Sequence, residues 1–324
     1  MSDAAIPVAV LTDDSSDRHD VPGHPETAAR LHAILDHLGA DPELRRLPAL
    51  HVPEADPEVV LGAHQDAHVR RIERAARSGG AWIDPDTYCT DRSYEVALRA
   101  AGAAVEGVSR VCSGDVGSAF AIIRPPGHHA TRDRAMGFCL FNNAAVAARA
   151  AQRHHGLARV AVVDIDVHHG NGTQDVFYDD ASVLYCSLHQ WPLYPGTGRR
   201  SETGEGAGAG ATVNTPLPPG TTGEDWLAAF DEVVAPALRA HAPELIVVSA
   251  GYDGHRADPL ANLRLDTTTY AEVARRLAGI AAETAGGRMV WVLEGGYDLD
   301  ALSASVAATL RTLGSSEGRG EGPA

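Results

Sequence analysis

Residues 160–172 read Val160-Ala161-Val162-Val163-Asp164-Ile165-Asp166-Val167-His168-His169-Gly170-Asn171-Gly172. The first six positions are apolar but for Asp164 and rich in valine, the pattern of a parallel strand covered on both faces. Beyond them the residue types change from core-filling to ligating. Asp166 and His168 stand two apart on an extended chain, so they share one side. A carboxylate and an imidazole on one side make half of a divalent metal site. One further ligand would leave a position open for water, as catalytic zinc requires. A plain Asp–His hydrogen-bonded pair is the alternative reading of these two residues. Asp164 points to the other side, from a mostly apolar strand. A buried carboxylate needs a partner, so it orients a histidine or binds a monovalent cation.

Working outward, the same kind of run recurs at Pro7–Leu11, Ala119–Ile123, Leu245–Ser249 and Met289–Leu293, and more weakly at Val183–Ser187. Between them, Thr27–Leu38, Ser93–Val111, Asn142–His155, Glu224–Arg239, Thr267–Thr284 and Asp300–Leu313 carry apolar residues at helical spacing. Alternation of strand and helix along the chain predicts one α/β domain with a mostly parallel central sheet and helices on both faces. No internal repeat is visible. The tail from Gly314 to Ala324 reads as disordered. The segment Gln190–Gly223 is a long Gly-, Pro- and Thr-rich connection. Its GEGAGAG stretch is not a dinucleotide loop, because it runs into an extended segment instead of opening a helix. A loop of this length is a surface feature or helps to shape the mouth of a site.

Composition removes whole classes of function. The 324 residues carry 27 basic and 43 acidic side chains, a formal charge of -16. That excludes a broad surface for nucleic acid or anionic membrane. No apolar run reaches the roughly 18 residues of a membrane span, and the N-terminus lacks the basic start of a secretory signal. Four scattered cysteines, Cys89, Cys112, Cys139 and Cys186, fit a reduced cytoplasmic protein. All basic residues are arginine, which reads as codon bias of a GC-rich genome.

Ligands of an open parallel sheet bind outside the carboxyl ends of its strands. The residues there are unusual: Arg124-Pro-Pro-Gly-His128-His129 after the second run, Leu188-His189 after Val183–Ser187, Tyr252-Asp253 through Asp258 after Leu245–Ser249, and Glu294-Gly-Gly-Tyr297 after the last. A solvated rim has no reason to choose His, Asp and Tyr at every strand. His154-His155, by contrast, reads as bases at a helix C-terminus capped by Gly156. Tyr297 could donate to a developing oxyanion or simply pack on the following helix. No GxSxG elbow is present, and Cys139 sits between apolar neighbours as a buried filler.

Taken together these segments resemble the histone deacetylase and acetylpolyamine amidohydrolase superfamily, which has an arginase-like α/β fold. The resemblance rests on GHPETAARL at Gly23–Leu31, RPPGHHA at Arg124–Ala130, GFCLFNNAA at Gly137–Ala145, VVDIDVHHGNGTQ at Val162–Gln174, SLHQWPLYPGTG at Ser187–Gly198, SAGYDGHRADPL at Ser249–Leu260 and LEGGYDL at Leu293–Leu299. Pro126, Asn171 and Glu294 place it with the class II branch and its bacterial relatives.

The resemblance implies a zinc-dependent deacetylase domain over residues 1–313, with iron(II) as the alternative ion. Asp166, His168 and Asp258 would be the zinc ligands, with Asp253 a spare. His128 and His129 would be the paired active-site histidines, backed by Asp164 and Asn171, and Tyr297 the oxyanion tyrosine. A structural potassium ion would sit on Asp164, Ser187 and the carbonyls of Asp166, His168 and Leu188. Gly137, Phe138 and Tyr194 would line an acyl-lysine tunnel, Asp86 would grip the substrate backbone, and Arg30 would sit at an inner channel for acetate. Leu265 would stand at the tunnel mouth, where the polyamine-directed branch carries a Glu. The reaction implied is hydrolysis of the acetyl amide of N-ε-acetyl-lysine in proteins or peptides, with release of acetate. Hydrolysis of acetylpolyamines or other small acetylated amines is the alternative, and a silent metal-binding module on the same fold is a third. Partners would be acetylated protein, peptide or small amine, with no nucleic acid and no membrane; a homo-oligomer is compatible with the sequence.

Overall fold

Each apolar run expected to be a strand is one. The computed structural model describes residues 8–315. Its strands are β1 (Val8–Leu11), β2 (Ala49–Leu50), β3 (Gly80–Trp82), β4 (Tyr88–Thr90), β5 (Ser118–Ala121), β6 (Val160–Asp164), β7 (Val183–Gln190), β8 (Thr212–Leu217), β9 (Leu245–Ala250) and β10 (Met289–Leu293). Eight of them form one sheet in the order β2-β1-β5-β10-β9-β6-β7-β8, with every neighbouring pair parallel. Strands β3 and β4 make a separate antiparallel hairpin.

The helices are α1 (Ala29–Ala40), α2 (Pro57–Val60), α3 (Asp66–Arg77), α4 (Ser93–Ser113), α5 (Asn143–His155), α6 (Asn171–Phe177), α7 (Gly223–Ala229), α8 (Ala235–His241), α9 (Thr267–Thr284) and α10 (Leu299–Gly314). The helix expected over 224–239 is divided by a π-turn at Phe230–Val234, where the Ala235 amide reaches back to the Phe230 carbonyl. Pro236, at the start of α8, has no amide hydrogen to continue the α ladder, and the turn widens to accommodate it. Helix α3 is highly charged, yet buries Val69, Ile72 and Ala76 on one stripe. That spacing was a legible helix signal. Helix α10 extends to Gly314. Pro7 and the expected tail from residue 316 lie outside the described residues.

Alternation on the strands explains the two layers. Val160 and Val162 of β6 enter one core cluster, with α4 and α5, while Ala161 and Val163 enter the other, with α9 and α10. The chain winds β6-β7-β8 toward one edge and then returns with β9 and β10 on the opposite side of β6. The loops after β6 and β9 therefore diverge from a point of reversal. Such a point is where an open α/β sheet leaves a crevice for ligand. Asp164 pairs in register with Ser187 on one side and Ser249 on the other. The segments 165–172 and 250–258 thus leave the sheet side by side. Among the described residues no helix is long and apolar enough to cross a membrane.

Candidate active site

Three groups meet in that crevice. The ligand atoms of Asp166, His168 and Asp253 all lie within 4.8 Å of one another. The Nδ1 atom of His168 is 3.1 Å from a carboxylate oxygen of Asp166 and 3.1 Å from one of Asp253. Each carboxylate is held by backbone: Asp166 accepts from Gly295 and from the His168 amide, at 2.8 Å each, and Asp253 accepts from Val167 at 2.9 Å. Burial, together with the charge of Asp166, pushes the Asp253 carboxyl up to about 7. Two buried carboxylates and one imidazole nitrogen converging on one point fit a divalent cation with oxygen and nitrogen ligands. Glycine is required beside them, since a Cβ on Gly295 would lie 2.1 Å from Asp253 and 2.6 Å from Asp166.

The expected third ligand, Asp258, is not in this group. Its Oδ2 accepts from the Tyr297 amide at 2.7 Å and its Oδ1 from the Leu260 amide at 3.0 Å. Asp258 ties down the segment after β10, and both Asp253 and Asp258 stand beside Asp166 as candidates for the third ligand.

His128 and His129 lie next to the group, with ring centroids 4.0 Å apart. Nδ1 of His128 is 3.0 Å from Asp164, and Nδ1 of His129 is 2.8 Å from the Asn171 side-chain oxygen. Asp164 also accepts from the Tyr185 hydroxyl at 3.1 Å. The pair is split electrostatically. Burial opposes charge on both rings, but the carboxylates of Asp166 and Asp164 carry His128 well above its ordinary pKa. His129 has a neutral partner in Asn171 and two histidines nearby, and burial holds it well below.

These rings line a cavity of about 190 Å3. Phe138, Tyr194 and Tyr297 form its walls. Phe138 has a φ of 69°, a conformation that a bulky residue adopts only when its surroundings impose it. The imposition is visible: the side chains of Asp86 and Thr87 accept from the amides of Gly137 and Phe138 at 3.1 and 3.0 Å. Gly137, with a φ of 57°, cannot carry a side chain, because a Cβ would meet the His129 ring at 2.4 Å. Asp86 lines the cavity while bracing this loop. Leu193 joins Tyr194 on the wall, so the start of the long 190–223 connection does shape the site.

One further expectation shifts. Leu265 is 1% exposed and belongs to the hydrophobic core. Its backbone pairs with His255 in a parallel bridge, which draws the side chain inward. The leucine on the cavity is Leu260. Arg30 is fully buried. Its guanidinium donates to the carbonyls of Gly296, at 2.7 Å, and Glu294, and lies 5.0 Å from the Tyr297 ring centroid. It braces the loop that carries Tyr297. Ser187 neighbours Asp164 across β6 and β7, but its hydroxyl is 2.9 Å from His189, and Leu188 is buried in the core.

Some residues of the site were not singled out as such from sequence. Glu26 pairs with Arg124 at 2.8 Å, and with Arg30, in a buried ionic cluster beneath the site. Glu294, a lone acid ending an apolar strand, accepts from the amides of Gly127 and His128. Burial pushes its carboxyl up to about 7. Its sequence signals were a charged residue at the end of an otherwise apolar run and its place in the LEGGYDL motif, neither of which gave it a task in the site.

The family profile of the histone deacetylase domain matches residues 24–313. A protein of Oryza sativa subsp. japonica named histone deacetylase 10, chloroplastic, is 43% identical over 312 residues, covering 91% of this chain and 70% of that protein. A Pseudomonas aeruginosa protein named histone deacetylase-like amidohydrolase is 40% identical over 274 residues, covering 84% of this chain and 71% of that one. The crystal structure of the HDA15 HD domain superposes with a TM-score of 0.90 at 38% identity, covering 95% of this chain and 89% of that chain.

Proposed function

The chain belongs to the histone deacetylase family of amidohydrolases, and on that premise we propose that it removes acetyl groups from N-ε-acetyl-lysine in proteins or peptides. The observation that carries this reading is the cavity lined by His128, His129 and His168, the last of which belongs to the Asp166–His168–Asp253 group. Those last three residues would hold a divalent ion, zinc by preference, with iron(II) as the alternative. Bound there, it would supply Lewis-acid polarisation of the acyl carbonyl and of water.

The protein's own groups divide the remaining work. His129, held neutral by burial beside Asn171, is suited to take a proton from the attacking water and pass one to the leaving amine. His128, charged against Asp164, offsets negative charge that develops beside it. The Tyr297 hydroxyl, on the cavity wall, would donate to the carbonyl oxygen as it gains charge. Phe138 and Tyr194 would flank the lysine alkyl stem and exclude water from the amide. A potassium ion on Asp164, Ser187 and the carbonyls of Asp166, His168 and Leu188 belongs to this proposal as a structural ion.

Leu260 supports acetyl-lysine over acetylpolyamines. It gives the cavity an apolar side. A leucine offers no partner for the distant ammonium of a polyamine. Four free cysteines agree with action in the reducing cytoplasm. The test is kcat/KM on acetyl-lysine peptides against acetylspermidine and acetylputrescine near physiological salt. Peptides are expected to be the better substrates; acetylpolyamines ahead by tenfold would replace this reading with the small-amine one.

A further inference from the structure

We propose that Glu294 is the positioning residue of the histidine pair, holding the Gly127–His128 backbone so that both imidazoles face the cavity; this rests on the proposed roles of His128 and His129. Glu294 is fully buried at the end of β10. Among the described residues no arginine or histidine forms an ion pair with its carboxylate. An acid in that setting is costly unless its oxygens are used, and they are. One oxygen accepts from the Gly127 amide at 2.6 Å and the His128 amide at 3.1 Å, and the other accepts from the Ser249 hydroxyl at 3.2 Å.

The loop needs this partner. Pro125 and Pro126 have no amide hydrogen, and the chain has already left β5, so the buried amides of Gly127 and His128 have no ladder to join. Without Glu294 both would be buried donors with nothing to bond. The other side of the His128 peptide is held as well: its carbonyl accepts from Gly172 and Thr173 at 3.0 and 3.1 Å. Those residues lie in α6, which also carries Asn171, the partner of His129. His128 is thus fixed from β10 on one side and from α6 on the other.

Glu294 is itself immobile. Its amide donates to the Ala250 carbonyl at 3.0 Å, and its carbonyl accepts from the buried guanidinium of Arg30. The same Arg30 donates to Gly296. One backbone stretch therefore sets the placement of the histidine pair through the Glu294 side chain, and that of Tyr297 through the loop beyond it.

The test uses the metal-loaded full chain with Glu294→Gln, Glu294→Asp and Glu294→Ala, metal content measured in each. Gln can still present an oxygen to the two amides, and should keep kcat within about threefold of the original. Asp is one methylene short, and should lower kcat about 10- to 100-fold with KM and metal content nearly unchanged, the effect expected of a misplacement near 1 Å. Amide hydrogen exchange at Gly127 and His128 should accelerate in the Asp and Ala variants and not in Gln. Three results overturn the proposal: an Asp variant with unaltered kcat, a loss in which KM rises as much as kcat falls, or Gln as damaging as Asp. If the unmodified protein hydrolyses no acetylated amine, the proposed function fails on its own. The exchange measurement then decides this inference, and unchanged rates at the two amides reject it.

Discussion

The carboxylate of Asp258 accepts a hydrogen bond from the backbone amide of Tyr297 at 2.7 Å. This contact joins the loop after β9 to the loop after β10, and it engages one of two aspartates five residues apart in the chain. Asp253 faces Asp166 and His168, while Asp258 places the tyrosine.

Asp253→Ala should therefore remove the divalent ion, because it deletes one of three converging ligands. Asp258→Ala should keep metal near the original stoichiometry but lower kcat, about 10²-fold if Tyr297 moves by an ångström. Metal analysis of the two purified variants, paired with steady-state kinetics, decides it. Metal lost from the Asp258 variant and kept in the Asp253 variant would reverse the assignment.

Tyr297→Phe isolates the hydroxyl. The ring should remain against Phe138, whose centroid is 5.9 Å away, so KM and metal content should stay near their original values. Turnover should fall by roughly 10²-fold, as loss of an oxyanion donor does. Turnover within a few-fold of normal would reduce this tyrosine to packing.

The two leucines of the 258–265 segment should behave in opposite ways. Leu260→Glu should shift the kcat/KM ratio toward acetylpolyamines, by about 3- to 30-fold for a partly screened ion pair, with little loss of stability. Leu265→Ala should leave that ratio alone and cost about 2–5 kcal/mol of stability, the range for a truncated core leucine. Denaturant titration and a two-substrate assay read both effects. A selectivity change in Leu265→Ala without destabilisation would restore Leu265 as the selector.

Stability should fall in mild acid for a reason located at His64. This buried ring accepts from the Asn142 amide at Nε2 and donates from Nδ1 to the Thr131 carbonyl, at 2.8 Å each. Burial, with His68 beside it, depresses its pKa to about 3. The unfolded chain titrates near 6.5. Between those values the unfolded state binds a proton that the folded state refuses, so stability rises with pH across that window and is lost as pH falls below about 6.5. One such histidine contributes about 2 kcal/mol between pH 7 and pH 5. Urea unfolding at the two pH values should show a smaller difference in His64→Gln than in the parent; an equal difference would assign the acid sensitivity to other groups.

Much of the molecule was legible in the chain because it was local. A five-residue valine-rich run can bury both faces only in the middle of a covered sheet, so β6, β9 and β10 could be read one by one. Asp166 and His168 come together although they lie in bends beyond the end of β6, because the His168 amide donates to the Asp166 carboxylate at 2.8 Å. The pairings His128–Asp164 and His129–Asn171 came from family resemblance, and the side chains stand within hydrogen-bond distance of each other. The short edge strand β2 carried too little pattern, and α7 and α8 read as one helix because a π-turn leaves the periodicity nearly intact.

The sequence by itself determined the apolar strands β1, β5, β6, β7, β9 and β10, the likeness to a family, and the collection of Asp, His and Tyr at one edge of the sheet. It did not determine which aspartate of Asp253 and Asp258 joins His168, or which leucine of Leu260 and Leu265 faces the cavity. Those choices depend on partners far away in the chain. Asp253 is held by the Val167 amide, 86 residues distant, and Asp258 by the Tyr297 amide, 39 residues distant. A loop has no fixed period to orient its side chains. Each one points where a backbone donor, brought up by another strand, satisfies it, and only the folded sheet brings those donors together.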